Sequence, residues 1–310
     1  MKCWLLDEML NYTVSHKEFI TVDRLLLQPS KRYFSLLSHV AYFFVGLPFF
    51  LIVGTSCVIA EKVVLEGNFL QGGMVRGQAS NVLKVSLDGR PLRISSLGSF
   101  VFGFGRSHVD KAMLLIHYSD GFLERRNLSI QKRAWEVQYI NGLPDRMVNP
   151  KASDLTRIRS EAREVALARR RDIDQNWFEE SFVWPVKGRI TGVYGTARVL
   201  NGKPRQPHYG IDIAVPAGTS VIAPASGLVT LAKTDHYFTG GTVILDHGHG
   251  VSSTFLHLQE LSVTIGQTIR QGDRIGTVGA TGRATGPHLD WRVNWFKQRL
   301  DPVLLVEPTH

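Results

Sequence analysis

The sequence predicts a mainly β protein: an antiparallel β-sheet domain preceded by a small immunoglobulin-like β-sandwich and an amphipathic linker helix. Three observations carry this expectation. From Trp184 onward, glycines recur between short β-branched runs such as Thr242–Leu245 and Ile275–Val278, a texture of many short strands and tight turns. Residues 61–150 read as short alternating strands around two Asp-Gly turns. Between these regions, one stretch spaces its apolar residues as a helix does.

The length of 310 residues suits about two domains at ~100–200 residues each. With 44% hydrophobic and 20% charged residues, the chain is an ordinary globular one. Its net charge of +9 is spread thinly, with no long basic tract, so no nucleic-acid partner is expected. Two cysteines, Cys3 and Cys57, cannot build a disulfide scaffold or a thiolate zinc site.

In chain order, residues 1–32 are a cytoplasmic N-terminal segment and 33–60 a transmembrane anchor or signal peptide. The 28 positions from Tyr33 to Ala60 carry no charge, enough to cross ~30 Å of hydrocarbon as a helix. Lys31 and Arg32 precede the stretch, which puts everything after Glu61 outside by the positive-inside rule. The expected location is therefore exported, on the periplasmic side, anchored in the inner membrane, or secreted if cleavage occurs near Ala60.

Residues 61–150 form the β-sandwich. Leu83–Leu87 alternates into the turn at Asp88-Gly89, and runs 112–118 and 122–130 flank Asp120-Gly121. His108 and His117 read there as structural or surface residues. Residues 151–181 are the helical linker: Leu155, Ile158, Ala162 and Val165 recur at helical spacing from about Ser153 to Arg171. Residues 182–310 form the β domain that bears the chemistry.

Six of the eleven histidines fall between positions 208 and 288. On a strand, His208, Gly210 and Asp212 would share one face, the glycine leaving room for an ion between imidazole and carboxylate. His288 and Asp290 have the same spacing of two, with Leu289 and Trp291 available for packing. His257 sits inside the apolar run Phe255–Leu258. Each cluster alone is a weak signal, since a His and an Asp four apart are common. Together, in one glycine-rich β domain, they point to a site.

These three blocks, His208-x-x-x-Asp212, Phe255-Leu256-His257-Leu258 and Thr285-Gly286-Pro287-His288-Leu289-Asp290-Trp291, resemble the signature blocks of the lysostaphin/LytM-type zinc metalloendopeptidases. The text between them, at Val215–Val229, Leu245–Gly250 and Gly266–Gly276, is similar too. The resemblance covers roughly residues 182–305. It implies a zinc-dependent endopeptidase cutting cross-links or stem peptides of peptidoglycan, with Zn2+ as cofactor and peptidoglycan peptides as partners. It assigns His208 and Asp212 as metal ligands and His257 and His288 as the two non-ligand histidines at the reacting water. Which histidine acts as base is left open.

At the family's third ligand, a histidine, this chain has Asp290. Carboxylate oxygen binds zinc at ~2.0–2.2 Å, close to histidine nitrogen, so Asp290 is expected as the third metal ligand. Two anionic ligands would make the dication a weaker Lewis acid. The alternative is a catalytically degenerate member that binds cell wall or activates a partner amidase, and a regulatory protein partner is left unidentified. A serine hydrolase is disfavoured because no G-x-S-x-G elbow is present. A biotinyl or lipoyl carrier domain is excluded because no lysine lies between Lys233 and Lys297 to be modified.

Overall fold

The computed structural model describes residues 63–142 and 150–308. The apolar span expected over 33–60, with Cys3 and Cys57, lies outside the described residues. Among the described residues no helix is long and apolar enough to cross a membrane.

The N-terminal strands form two antiparallel sheets. β1 (Val64–Gly67), β2 (Met74–Gln78) and β5 (Ser99–Gly103) make a three-stranded sheet in the order β1-β2-β5. β3 (Val82–Leu87), β4 (Arg90–Leu92), β6 (Lys111–Tyr118) and β7 (Leu123–Ser129) make a four-stranded one in the order β4-β3-β6-β7. Asp88 and Gly89 both take positive φ, as a two-residue hairpin turn requires. Along β6, Ala112, Leu114, Ile116 and Tyr118 point inward while Lys111, Met113 and His117 face water. Inward residues of both sheets, including Val75, Phe100, Phe102, Val85 and Leu114, join one core.

The boundary expected at 150 is crossed earlier. β8 (Val137–Ile140) leaves the N-terminal sheets and pairs in parallel with β10 (Ala197–Leu200), which also pairs with β11 (Lys203–Arg205). Val137 and Tyr139 are exposed, so backbone bonds to a distant strand hold β8, not a buried face. Such long-range parallel pairing leaves no local turn signal in a sequence.

The linker helix is α1 (Leu155–Ala168), shorter than the expected 153–171 and preceded by a 3-10 turn over Ala152–Asp154. Val165 and Ala168 pack on Leu231 of β14 (Gly227–His236) and Ile244 of β15 (Gly240–Gly248). Arg157 and Glu161 fasten the helix to the following hairpin: Glu161 accepts from the Tyr237 backbone at 2.8 Å.

The C-terminal part is a ten-stranded antiparallel sheet. Its main path runs from β17 (Thr268–Ile269) through β14, β15, β16 (Val251–Leu261), β19 (Leu289–Trp295) and β12 (Ile211–Ala214) to β9 (Arg189–Gly192). β13 (Ser220–Ile222), β18 (Arg274–Val278) and β20 (Gln298–Leu300) pair off this path. One face buries Val229, Val243, Leu245, Phe255, Trp291 and Val293. The opposite face carries Leu231, Ile244, Thr254, Arg292, Asp290 and Asp212 in register. A buried Asp301 caps the 3-10 turn Pro302–Leu305 and pairs with Arg133 at 2.8 Å. With Arg106 donating to the Gly195 carbonyl, the N-terminal and C-terminal strands are joined through one core cluster.

Candidate active site

Register builds the site. In the antiparallel pair β12–β19, Asp212 lies directly opposite Asp290, and Asp290 is opposite Leu256 on β16. Directly opposed residues hold their Cβ atoms ~4.5–5.5 Å apart, so two carboxylates distant in sequence face one another. Two glycines make the space. A Cβ on Gly210 would lie 2.7 Å from Asp290 Oδ1, and one on Gly192 would lie 2.2 Å from Asp212 Oδ2. The room expected at Gly210 exists, and Asp290 and Arg292 use it.

His208 is not on the strand, contrary to the sequence expectation. Its backbone N–H donates to Thr196 and its carbonyl accepts from Gly195, so the chain joins the sheet only at Ile211. The imidazole still reaches the carboxylate pair, with Nε2 3.2 Å from Asp212 Oδ1. His208 is 2% exposed, and neither ring nitrogen is in hydrogen-bond geometry with any group. Leaving a buried polar group unpaired costs ~1–3 kcal/mol. Ligand atoms of His208, Asp212 and Asp290 all lie within 4.8 Å of one another. An orphaned buried imidazole beside two carboxylates, a nitrogen–oxygen donor set, fits a divalent metal such as zinc.

Each carboxylate is also held from outside. Arg198 donates to Asp212 Oδ2 at 3.1 Å. Arg292 grips both oxygens of Asp290, with Nε 2.9 Å from Oδ1 and Nη2 2.5 Å from Oδ2. Burial alone would raise the Asp290 carboxyl, but the Arg292 charge and hydrogen bonds hold it well below the usual carboxylate range. Burial likewise works against Asp212, and His208 and Arg198 outweigh it, so its carboxyl also sits low. Both therefore stay ionised, as metal ligands must be.

The two remaining histidines meet beside this cluster. Simple alternation would turn His257 into the core behind Phe255. Instead its backbone is left-handed, with φ of 64°, and its N–H donates to the Thr239 carbonyl. The ring emerges 4.8 Å from that of His288, centroid to centroid. His257 Nδ1 is 2.8 Å from the Thr281 carbonyl, and His288 Nδ1 is 2.8 Å from the Gly286 carbonyl. A carbonyl can only accept, so each Nδ1 carries hydrogen and Nε2 is the nitrogen left for chemistry. Burial pushes the His257 pKa down against the opposing pull of Asp290, which favours the neutral ring. His288 Nε2 points toward Asp212 Oδ1 at 4.0 Å.

All five residues expected at the site, His208, Asp212, His257, His288 and Asp290, thus come together. Leu289 and Trp291 are buried beneath them, as anticipated. Sequence reading missed Arg198, Arg292 and Thr281. Arg292 was legible, because it follows Asp290 by two on a strand and must share its face. Arg198 and Thr281 reach the site from a separate sheet and a loop, and no spacing announces them. His247 is a satisfied core histidine, bonded through Nδ1 to the Ser226 carbonyl and through Nε2 to Ser253 Oγ.

The chain is similar to known proteins. Residues 206–302 match Peptidase family M23. A solved Pseudomonas aeruginosa structure described as a peptidase M23 is similar at 30% identity and a TM-score of 0.60, covering 77% of this chain and 95% of that one. The peptidoglycan DD-endopeptidase ShyA of Vibrio cholerae is 40% identical over 87 residues, 28% of this chain and 20% of ShyA. The DD-carboxypeptidase/endopeptidase Mpg of Neisseria meningitidis is 40% identical over 102 residues, 33% of this chain and 23% of Mpg. The chain thus spans about a fifth of the length of the curated relatives it matches.

Proposed function

Because the chain belongs to peptidase family M23, we propose that it is a metal-dependent endopeptidase that hydrolyses peptide bonds of peptidoglycan. The observation that carries this reading is the buried His208 imidazole, close to Asp212 but outside hydrogen-bond geometry, set against Asp212 and Asp290. His208, Asp212 and Asp290 would hold the ion, zinc by the nitrogen–oxygen character of the donors. When bound, such an ion supplies Lewis-acid polarisation of a carbonyl and acidification of water. Arg198 and Arg292 orient the two carboxylates, as outer partners of ligating groups do. His257, fixed through Nδ1 and neutral, is suited to take a proton at Nε2. His288, fixed in the same way, is suited to stabilise the developing oxyanion or protonate the leaving amine once its Nε2 carries a proton. The name of the ShyA relative, a peptidoglycan DD-endopeptidase, supports peptidoglycan as the substrate.

The uncharged stretch 33–60 behind Lys31 and Arg32 supports an anchored chain whose catalytic part lies outside the membrane, on the side of its substrate. A second reading, a metal-free domain that binds wall or a partner, is favoured by one observation. Arg198 and Arg292 already balance the two carboxylates without a metal ion. Digestion of purified peptidoglycan by the full chain separates the two. The enzyme reading expects released peptides with new amino termini, abolished by a chelator and restored by zinc. Binding without cleavage under all metal conditions would leave the second reading standing.

A further inference from the structure

We propose that Arg169, Arg292 and Arg299 form a carboxylate-binding subsite beside the Asp290 cluster, selecting substrate peptides that carry a free carboxylate over neutral ones. The proposal rests on the endopeptidase reading and names the substrate class of that site.

Strand register brings the three arginines together. Asp290, Arg292 and Asn294 alternate along one face of β19. Arg299 on β20 lies opposite Asn294, so it shares that face. Thr254 on β16 lies opposite Arg292, and Arg169, the residue that ends α1, donates its Nη2 to Thr254 Oγ1 at 3.2 Å. Three guanidinium groups therefore crowd one patch of the sheet, and the carboxylates beside them, Asp290 and Asp212, act chiefly on Arg292. Arg292 already occupies both Asp290 oxygens.

Among the described residues neither Arg169 nor Arg299 has a carboxylate at ion-pair distance. Arg299 donates to Asn294 Oδ1 at 3.3 Å and lies over the Tyr209 ring at 5.7 Å, both neutral partners. The Nε of Arg169 is buried with no acceptor. Asp246 shares the face, opposite Ser252, but stands three strands away from Arg299 at ~4.8 Å per strand. It is too far to neutralise Arg299, and it makes no ion pair with Arg169. Burial and the Arg292 charge lower the Arg299 pKa to about 10, and burial with Arg299 and Arg292 lowers that of Arg169. Such mutual repulsion is relieved by an anion.

The side chains remain partly open: Arg292 keeps 25% of its side-chain surface, and Arg169 and Arg299 are half-buried. Guanidinium forks suit the planar, two-oxygen geometry of a carboxylate. A peptide crossing from the carboxylate–histidine cluster along β19 would lay such a group on them. Diaminopimelate-containing stem peptides offer free carboxylates there, whereas glycine bridges offer uncharged backbone.

The test compares a diaminopimelate-containing, cross-linked stem peptide with the same compound amidated at its free carboxyl groups. Equilibrium binding to the full chain and kcat/KM are both measured. The free acid should bind about ten- to a hundredfold more tightly and be cleaved with the same preference. Arg299→Gln and Arg169→Gln should each cut that preference about tenfold, with Arg299→Lys recovering part of it. Equal binding of the two peptides by the native chain would overturn the subsite, even where both are cleaved. Selective binding with no cleavage of either peptide, or of glycine-bridged wall, would keep the subsite and sink the endopeptidase reading.

Discussion

The N-terminal strands and the C-terminal sheet are built by the same antiparallel rules but bury different things. Among the described residues before Ile130, the buried polar side chains are Gln71, Ser95 and Ser99, all neutral and all hydrogen-bonded. The C-terminal sheet buries His208, Asp246, His247, His249, His257, Asp290 and Asn294, and leaves polar atoms of His208, His249 and Asp246 without a partner. Buried polar groups are normally satisfied; Arg76 Nε is such an orphan in the N-terminal strands, but the concentration of orphans in the C-terminal region marks where stability gives way to chemistry. The first region is packing; the second is a site held in place by packing.

The contrast can be broken at either end. The largest effect is expected at His257→Ala, which should lower kcat/KM about 10²–10⁴-fold with urea stability little changed. Unchanged activity would remove His257 from the chemistry. In the other region, Phe100→Ala should cost about 3–5 kcal/mol in urea unfolding while folded molecules keep native kcat/KM. Phe100 is wholly buried and fills the space over Gly77. A specific loss of activity there would mean the N-terminal strands do more than pack.

Smaller effects sharpen the comparison. Arg292→Gln should weaken zinc affinity about 10–100-fold, measured by competition with a chromophoric chelator, because Asp290 loses the group that orients it. Tighter binding would mean Arg292 competes with the ion instead of supporting it. Asp246 tests the cost of buried charge. Burial raises its carboxyl to about 6, above the ~3.9 of an unfolded chain. The folded state therefore holds the proton longer, and stability falls as pH rises from about 4 to 6. Asp246→Asn should remove that decline, about 1–3 kcal/mol between urea titrations at pH 4 and pH 7. The Asn can still accept the Gly248 N–H that Asp246 Oδ1 now takes.

Much of this was legible in the sequence, for identifiable reasons. Asp88-Gly89 and the alternation of 112–118 encode local geometry, so the N-terminal hairpins could be read directly. The pairs His208/Asp212 and His288/Asp290 sit at spacings short enough to stay together at the strand starts, even though His208 itself precedes its strand. What escaped needed long-range contacts. β8 crosses to β10 through backbone bonds alone, and His208 leaves the strand because residues 195–196 take its backbone groups. The left-handed turn at His257 follows no composition rule, since an ordinary residue seldom adopts that backbone unless its surroundings impose it. The arginines around Asp290 arrive from α1, β10, β19 and β20, and only Arg292 lies close enough in sequence to have been foreseen.

The most direct test of the central claim is the metal content of the purified full chain, measured by mass spectrometry beside His208→Ala. The account predicts one zinc per native chain and its loss in the variant, with the fold retained by circular dichroism. A native chain without metal after zinc loading, or a variant that keeps its ion, would contradict the site described here.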